Sequence, residues 1–191
     1  KQVAGDRFAD LIAEVRKDST IKAVVLRVNS PGGSVVASSK IKTELDLLRE
    51  SVPVIASYGN YAASGGYWIS ANTDKIFSNA TTLTGSIGVF SMIPDVSGAL
   101  KNKLHVNVTT VNSNAHSDLY SLIKPLDAAE TAYMQASVEN IYERFTSIVA
   151  EGRDMTVEAV DAIAQGRVWT GAEAEGIGLV DQIGTLTDAL D

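Results

Sequence analysis

A serine among very small neighbours, Ala62-Ala63-Ser64-Gly65-Gly66, is the stretch of this chain best suited to covalent chemistry. With almost no side-chain bulk around it, a substrate backbone can approach Ser64 closely, and the Gly65 N–H is free to point at the reacting group. That placement suits a serine nucleophile with oxyanion donors at the start of a helix. It equally suits a small-residue patch where a helix packs tightly on a sheet, and the local pattern leaves both readings open. A second glycine-rich element, Asn29-Ser30-Pro31-Gly32-Gly33-Ser34, lies about thirty residues upstream. Other chemistries have less to stand on. The chain has no cysteine, which removes disulfides, thiolate metal sites and a cysteine nucleophile. Its two histidines, His105 and His116, sit in no H-E-x-x-H pattern, which argues against zinc. A net charge of −7 argues against nucleic acid as a partner.

The elements that must position these residues can be read in order. Phe8, Leu11, Ile12 and Val15 fall at helical spacing, which predicts an amphipathic helix over about 5–17. The apolar run from Ile21 to Val28 reads as a strand buried on both faces, the mark of a parallel sheet. Pro31 stops that strand, and a second helix follows with Ile41, Leu45 and Leu48 on its apolar face. A strand at 52–57 leads to the Ser64 segment, and Tyr67-Trp68-Ile69 reads as a helix turned into the core. Lys75–Ser78 and the start of Thr84–Val89 are short strands, 95–104 is helical, and 105–111 alternates enough for a strand. Residues 112–124 form a polar loop. Asp127 and Glu130 make a capping-box start for a long helix. Two shorter helices follow at 156–164 and 170–176, and Leu179-Val180-Asp181 is read as a small strand. Arg167 and Asp181 are read as a structural ion pair. Repeated strand–turn–helix order predicts one α/β domain over residues 1–191 with a largely parallel sheet, and ligands in such sheets sit beyond the strand C-termini. Both glycine-rich elements are there.

Taken together, Asn29–Ser34, Ala62–Tyr67, Thr84-Gly85-Ser86-Ile87-Gly88, Ala164–Gly171 and Gly178–Asp181 closely resemble the signal peptide peptidase A (protease IV) family. The likeness follows the family's order over nearly the whole chain. It implies a ClpP/crotonase-like fold of ββα units. By position it implies Ser64 as nucleophile, Gly33 and Gly65 as N–H donors to the oxyanion, and Ser86 as a serine holding a catalytic lysine. That lysine would be the base of a Ser–Lys dyad, neutral through desolvation. Without the resemblance, Ser86 reads equally well as a turn serine between two glycines.

The family's lysine position falls on Ser117. The resemblance is therefore to the C-terminal, serine-bearing half of the double-length form, with the lysine supplied by an N-terminal half; the start at Lys1 without methionine is read as a piece of a longer chain. Alternative bases are Lys124, otherwise a solvated surface lysine, and His116 or His105, with Asp118 able to orient an imidazole. The resemblance implies extended apolar peptides, the remnants of signal peptides, as substrate, and neither metal nor organic cofactor. It also implies a homo-oligomer and a membrane-anchored parent with its catalytic domain on the extracytoplasmic, periplasmic side. The competing expectations are a non-catalytic pseudoprotease half serving assembly and a crotonase-like acyl-CoA enzyme, which would not need Ser64.

Overall fold

A computed structural model describes residues 4–191 and resolves into two compact units. The first comprises the chain up to Gly88 together with Glu143–Asp191, and the second is Val89–Tyr142.

The first unit is built on a six-stranded sheet. Strand β1 (Val24–Ser30), helix α2 (Val35–Arg49) and strand β2 (Val54–Ala63) form a parallel β–α–β unit, with helix α1 (Gly5–Lys17) packed on α2. The short helix α3 (Gly65–Ser70) follows, then β3 (Lys75–Ser78) and β4 (Leu83–Gly85). Strand β2 organises the sheet because it is long enough to serve two neighbours in succession. Its first half pairs with β3 at Ile55–Ser57, and its second half pairs with β4 at Tyr61–Ala63, both parallel. Beyond residue 143 come the end of α5 (Ala128–Gly152), then α6 (Val157–Ile163), β5 (Val168–Thr170), α7 (Gly171–Gly176), β6 (Gln182–Ile183) and α8 (Leu186–Leu190). Strand β5 closes the sheet antiparallel to β4, and every other pairing is parallel.

A bulge separates the two halves of β2. Val28 pairs with Tyr58, but Ser30 pairs with Ala62, so β2 contains two more residues than β1 over the same rise. The carboxamide of Asn29 fills the gap, accepting the N–H groups of Asn60 and Tyr61 at 3.1 and 3.2 Å. Thr82 and Thr84 hydroxyls donate to Gly59 O and Ala62 O on the opposite edge. Backbone groups that the bulge takes out of the ladder thus keep partners.

Under the sheet, Tyr58 and Tyr67 are fully buried with rings edge to face, centroids 6.5 Å apart. Their hydroxyls reach Ser70 Oγ and Leu179 O, each at 2.8 Å. Trp68 packs against Phe145, centroids 4.8 Å apart. Side chains of this size contribute about 1.5–3 kcal/mol each on full burial, so α3 is pinned by its aromatic face rather than by its own length. Tyr67 and Trp68 are core residues.

Several sequence expectations are corrected. Strand β2 runs on to Ala63, so Tyr58–Ala63 is strand and the turn begins only at Ser64. In β1, Leu26 and Val28 are buried but Arg27 is exposed, bonding Ser57 Oγ and Tyr58 O. The last strand is Gln182–Ile183 instead of 179–181, because Phe77 and Ser78 take those residues as partners. Asp181 pairs with Arg153, whose Nε also donates to Gly178 O; Arg167 bonds Ala162 O and Gln165. Proximity in sequence to the terminal motif suggested the wrong arginine.

In the second unit, residues 105–111 are not a strand. They alternate as a strand should, yet no strand pairs with them among the described residues and every one is exposed. An extended segment becomes a strand only when a neighbour accepts its backbone hydrogen bonds. Helix α4 (Ser97–Lys103) precedes them. The Asp127–Glu130 capping box forms as read: Glu130 N–H donates to Asp127 Oδ1 at 2.8 Å and Asp127 N–H to Glu130 Oε2 at 3.0 Å. Among the described residues, no helix is long and apolar enough to cross a membrane.

Candidate active site

Four of the residues singled out in sequence converge where β1, β2 and β4 end. Ser64 occupies φ 51°, ψ −119°, a conformation costing a non-glycine residue about 1–3 kcal/mol. Its surroundings enforce it. The Ser64 N–H donates to Gly85 O at 2.9 Å, and Ser64 O accepts the Trp68 N–H at 2.8 Å. The chain therefore leaves a paired strand and enters a core-anchored helix within one residue. This sharp strand-to-helix turn projects the Ser64 side chain off the end of the sheet, and Oγ has no hydrogen-bond partner among the described residues.

The loop after β1 lies against this turn. Ser30 Oγ accepts the Gly32 N–H at 3.2 Å, and Ser34 caps α2. Gly32, at φ 104°, approaches so closely that a Cβ there would stand 2.7 Å from both Ser64 Cβ and Gly65 N. Gly65 in turn has Gly33 N 3.3 Å from where its own Cβ would be. Gly33 N thus lies beside Gly65, the residue after Ser64, and neither the Gly33 nor the Gly65 N–H has a partner among the described residues.

Ser86 stands one strand over. Ala63 and Gly85 are register partners, so Ser64 and Ser86 each follow a paired residue on neighbouring strands, about 4.8 Å apart in the hydrogen-bonding direction. Ser86 also has positive φ, 48°. Its N–H donates to Arg167 O at 2.7 Å, and Ile87 O accepts the Gly166 N–H at 2.9 Å. The Ala164–Gly171 motif thus fixes the backbone of Ser86.

Comparison with known proteins identifies the family. A profile of peptidase family S49 matches residues 46–191. The chain belongs to this family. It is 46% identical over 189 residues to Protease 4 of Salmonella typhi, covering 98% of this chain and 30% of that protein. A relative in Enterococcus faecium whose name gives signal peptide peptidase SppA is 40% identical over 192 residues, covering 100% of this chain and 56% of the relative. The chain therefore spans between about a third and just over half of these relatives. Among solved structures, a point mutant of ClpP1 from Listeria monocytogenes superposes with a TM-score of 0.65 at 16% identity, covering 98% of this chain and 87% of that one. The fold is ClpP-like, as the sequence of this S49 member implies.

The alternative bases lie in the second unit, where Lys124 and His116 share a carboxylate cluster. Lys124 Nζ sits 2.8 Å from both Asp118 Oδ1 and Glu130 Oε1. His116 Nδ1 lies 3.3 Å from Glu130 Oε1, while His105 and Ser117 are exposed. The Asp118 carboxylate paired with it, and then the hydrogen-bonded Glu130, push the Lys124 ammonium above its ordinary range. The same ammonium, before other donors, holds the Asp118 and Glu130 carboxyls below theirs. His116, Asp127 and Glu130 offer three ligand atoms within 4.8 Å, but a cation there would compete with the Lys124 ammonium already on Glu130.

Carboxyls lowered on folding stabilise fully above their unfolded values of 3.8 and 4.5 and lose that contribution as pH falls through the lower folded values. Lys124, raised on folding, contributes fully below 10.5 and loses its contribution above. The thermal midpoint of Lys124→Met is expected to depend less steeply on pH than that of the native protein below pH 4.5, a comparison scanning calorimetry makes directly.

Asn29, which holds the bulge beside the site, stands in the sequence only as the first residue of the upstream glycine-rich element, with no role of its own. An asparagine at the end of an apolar strand is the available signal, because its carboxamide readily replaces a backbone partner.

Proposed function

We propose that this chain is the serine-bearing, C-terminal part of a serine endopeptidase that degrades cleaved signal peptides. The observation that carries this reading is Ser64, held in a strained turn with its Oγ and the Gly33 and Gly65 N–H groups all unpartnered among the described residues. In the reaction, Ser64 Oγ attacks the peptide carbonyl carbon and gives its proton to a neutral amine. The tetrahedral oxyanion accepts hydrogen bonds from Gly33 and Gly65, each worth roughly 3 kcal/mol of barrier. Collapse breaks the C–N bond, the protonated base delivers its proton to the leaving amine, and water then hydrolyses the acyl-enzyme.

The base is a lysine contributed by an N-terminal half. Lys124 is a poor substitute, because two carboxylates favour its charged form and a general base must be neutral. Ser86, beside Ser64, would hold the incoming lysine. The substrate is an extended apolar peptide. The parent is a homo-oligomer anchored in a membrane, with this domain on the extracytoplasmic side. A non-catalytic assembly role or acyl-CoA chemistry gives no reason to maintain strain at Ser64.

The test is peptide-ester hydrolysis by this chain alone and after mixing with the lysine-bearing half. Activity is expected only on mixing. Turnover by the chain alone would place the base within these residues and sink the divided dyad.

A further inference from the structure

We propose that Ser38 is a third hydrogen-bond donor to the oxyanion, acting beside Gly33 and Gly65; the inference rests on the reading of Ser64 as nucleophile. Ser38 lies in the first turn of α2 and is only 8% exposed. A hydroxyl within a helix ordinarily satisfies itself by bonding the carbonyl four residues back. This chain does so repeatedly: Thr43 bonds Ser39 O, Ser70 bonds Gly66 O, Thr131 bonds Asp127 O and Ser147 bonds Glu143 O. Ser38 does not. Its N–H takes Ser34 O at 3.0 Å, while its Oγ has no hydrogen-bond partner among the described residues.

That hydroxyl points at the site. It stands 2.6 Å from the position a Gly65 Cβ would occupy, and Gly33 N stands 3.3 Å from the same point. Ser38 Oγ and Gly33 N therefore both border the space beside the Gly65 Cα, next to the Ser64 turn. The Ser38 hydroxyl is left free to donate, and a bound oxyanion is an acceptor it could take in place of water. A hydrogen bond formed only as negative charge develops raises kcat without tightening substrate binding. The same geometry explains the absence of a side chain at 65, since a Cβ there would strike Ser38 Oγ.

The test compares native protein, Ser38→Ala and Ser64→Ala in the intact, lysine-containing enzyme. With a peptide ester, Ser38→Ala is expected to lower kcat about ten- to a hundredfold with KM within about twofold. The rate at which a fluorophosphonate labels Ser64 should fall by a similar factor, with the thermal midpoint unchanged. Unchanged kcat, or a loss matched by a lowered thermal midpoint, overturns the role of Ser38. Ser64→Ala separates the two readings. If it abolishes labelling while Ser38→Ala labels normally, only the Ser38 inference fails; if labelling persists in Ser64→Ala, the nucleophile assignment fails and takes Ser38 with it.

Discussion

Replacing Ser64 by glycine is expected to yield a protein that is inactive and yet more stable than the native one. Loss of the hydroxyl removes the nucleophile, so turnover in the lysine-containing enzyme should fall by at least about 10³-fold and fluorophosphonate labelling should disappear. The gain in stability has a separate cause. At φ 51°, ψ −119° a serine stores about 1–3 kcal/mol, which glycine does not. Glycine gives back about 0.5–1 kcal/mol through the greater entropy of its unfolded chain, leaving a net gain of about 1 kcal/mol. Alanine at the same position keeps the strain, so Ser64→Ala should be equally inactive without the gain. Chemical denaturation of the three proteins decides the matter. A glycine variant no more stable than the alanine one would mean that the turn holds no strain.

Gly32→Ala should also harm activity, without touching a reacting atom. The added methyl group would stand 2.7 Å from Ser64 Cβ and from Gly65 N, and a backbone at φ 104° is unfavourable to any side chain. Strain and overpacking together are expected to cost about 2–4 kcal/mol. Any relaxation moves Gly33 away from Ser64, and a displacement near 1 Å is enough for about a hundredfold loss in rate. Gly33→Ala is the control. Its φ of 153° is also unfavourable, but a Cβ there meets nothing within 4 Å. It should retain more activity and more stability than Gly32→Ala. Equal losses in peptide-ester hydrolysis would mean that backbone angle, and not the clash with Ser64, is what matters.

The meeting of the two glycine-rich segments was legible in the sequence, although the local pattern left a nucleophile and a packing patch equally open at Ser64. Gly32, Gly33, Gly65 and Gly66 at fixed offsets from two apolar runs announce two backbones in close approach. The helices were legible where periodicity and capping agree, as at Asp127–Glu130 and Thr170–Glu173, both of which form capping boxes. What failed depended on partners distant in sequence. Residues 105–111 have strand chemistry and no neighbour; β5 has only three residues and exists because β4 accepts it. The extension of β2 through Gly59 and Asn60 contradicts local propensity and is sustained by Asn29, some thirty residues away. Ser38 left no trace in the sequence, since a serine one turn into a helix is ordinary until its hydroxyl is seen to decline the usual carbonyl.

The bulge in β2 makes the site a matter of counting. Between Val28–Tyr58 and Ser30–Ala62 one strand spends two residues more than the other, directly before the two segments that meet at Ser64. Removing Gly59 and Asn60 would give a more regular ladder and an unchanged set of active-site residues. It would also draw Ser64 back along its strand by two residues, roughly 7 Å, out of step with Gly33. The length of β2 is therefore as much a part of the site as the residues that form it. A shortened relative with every motif intact would be a folded protein with its nucleophile and its oxyanion donors in different places.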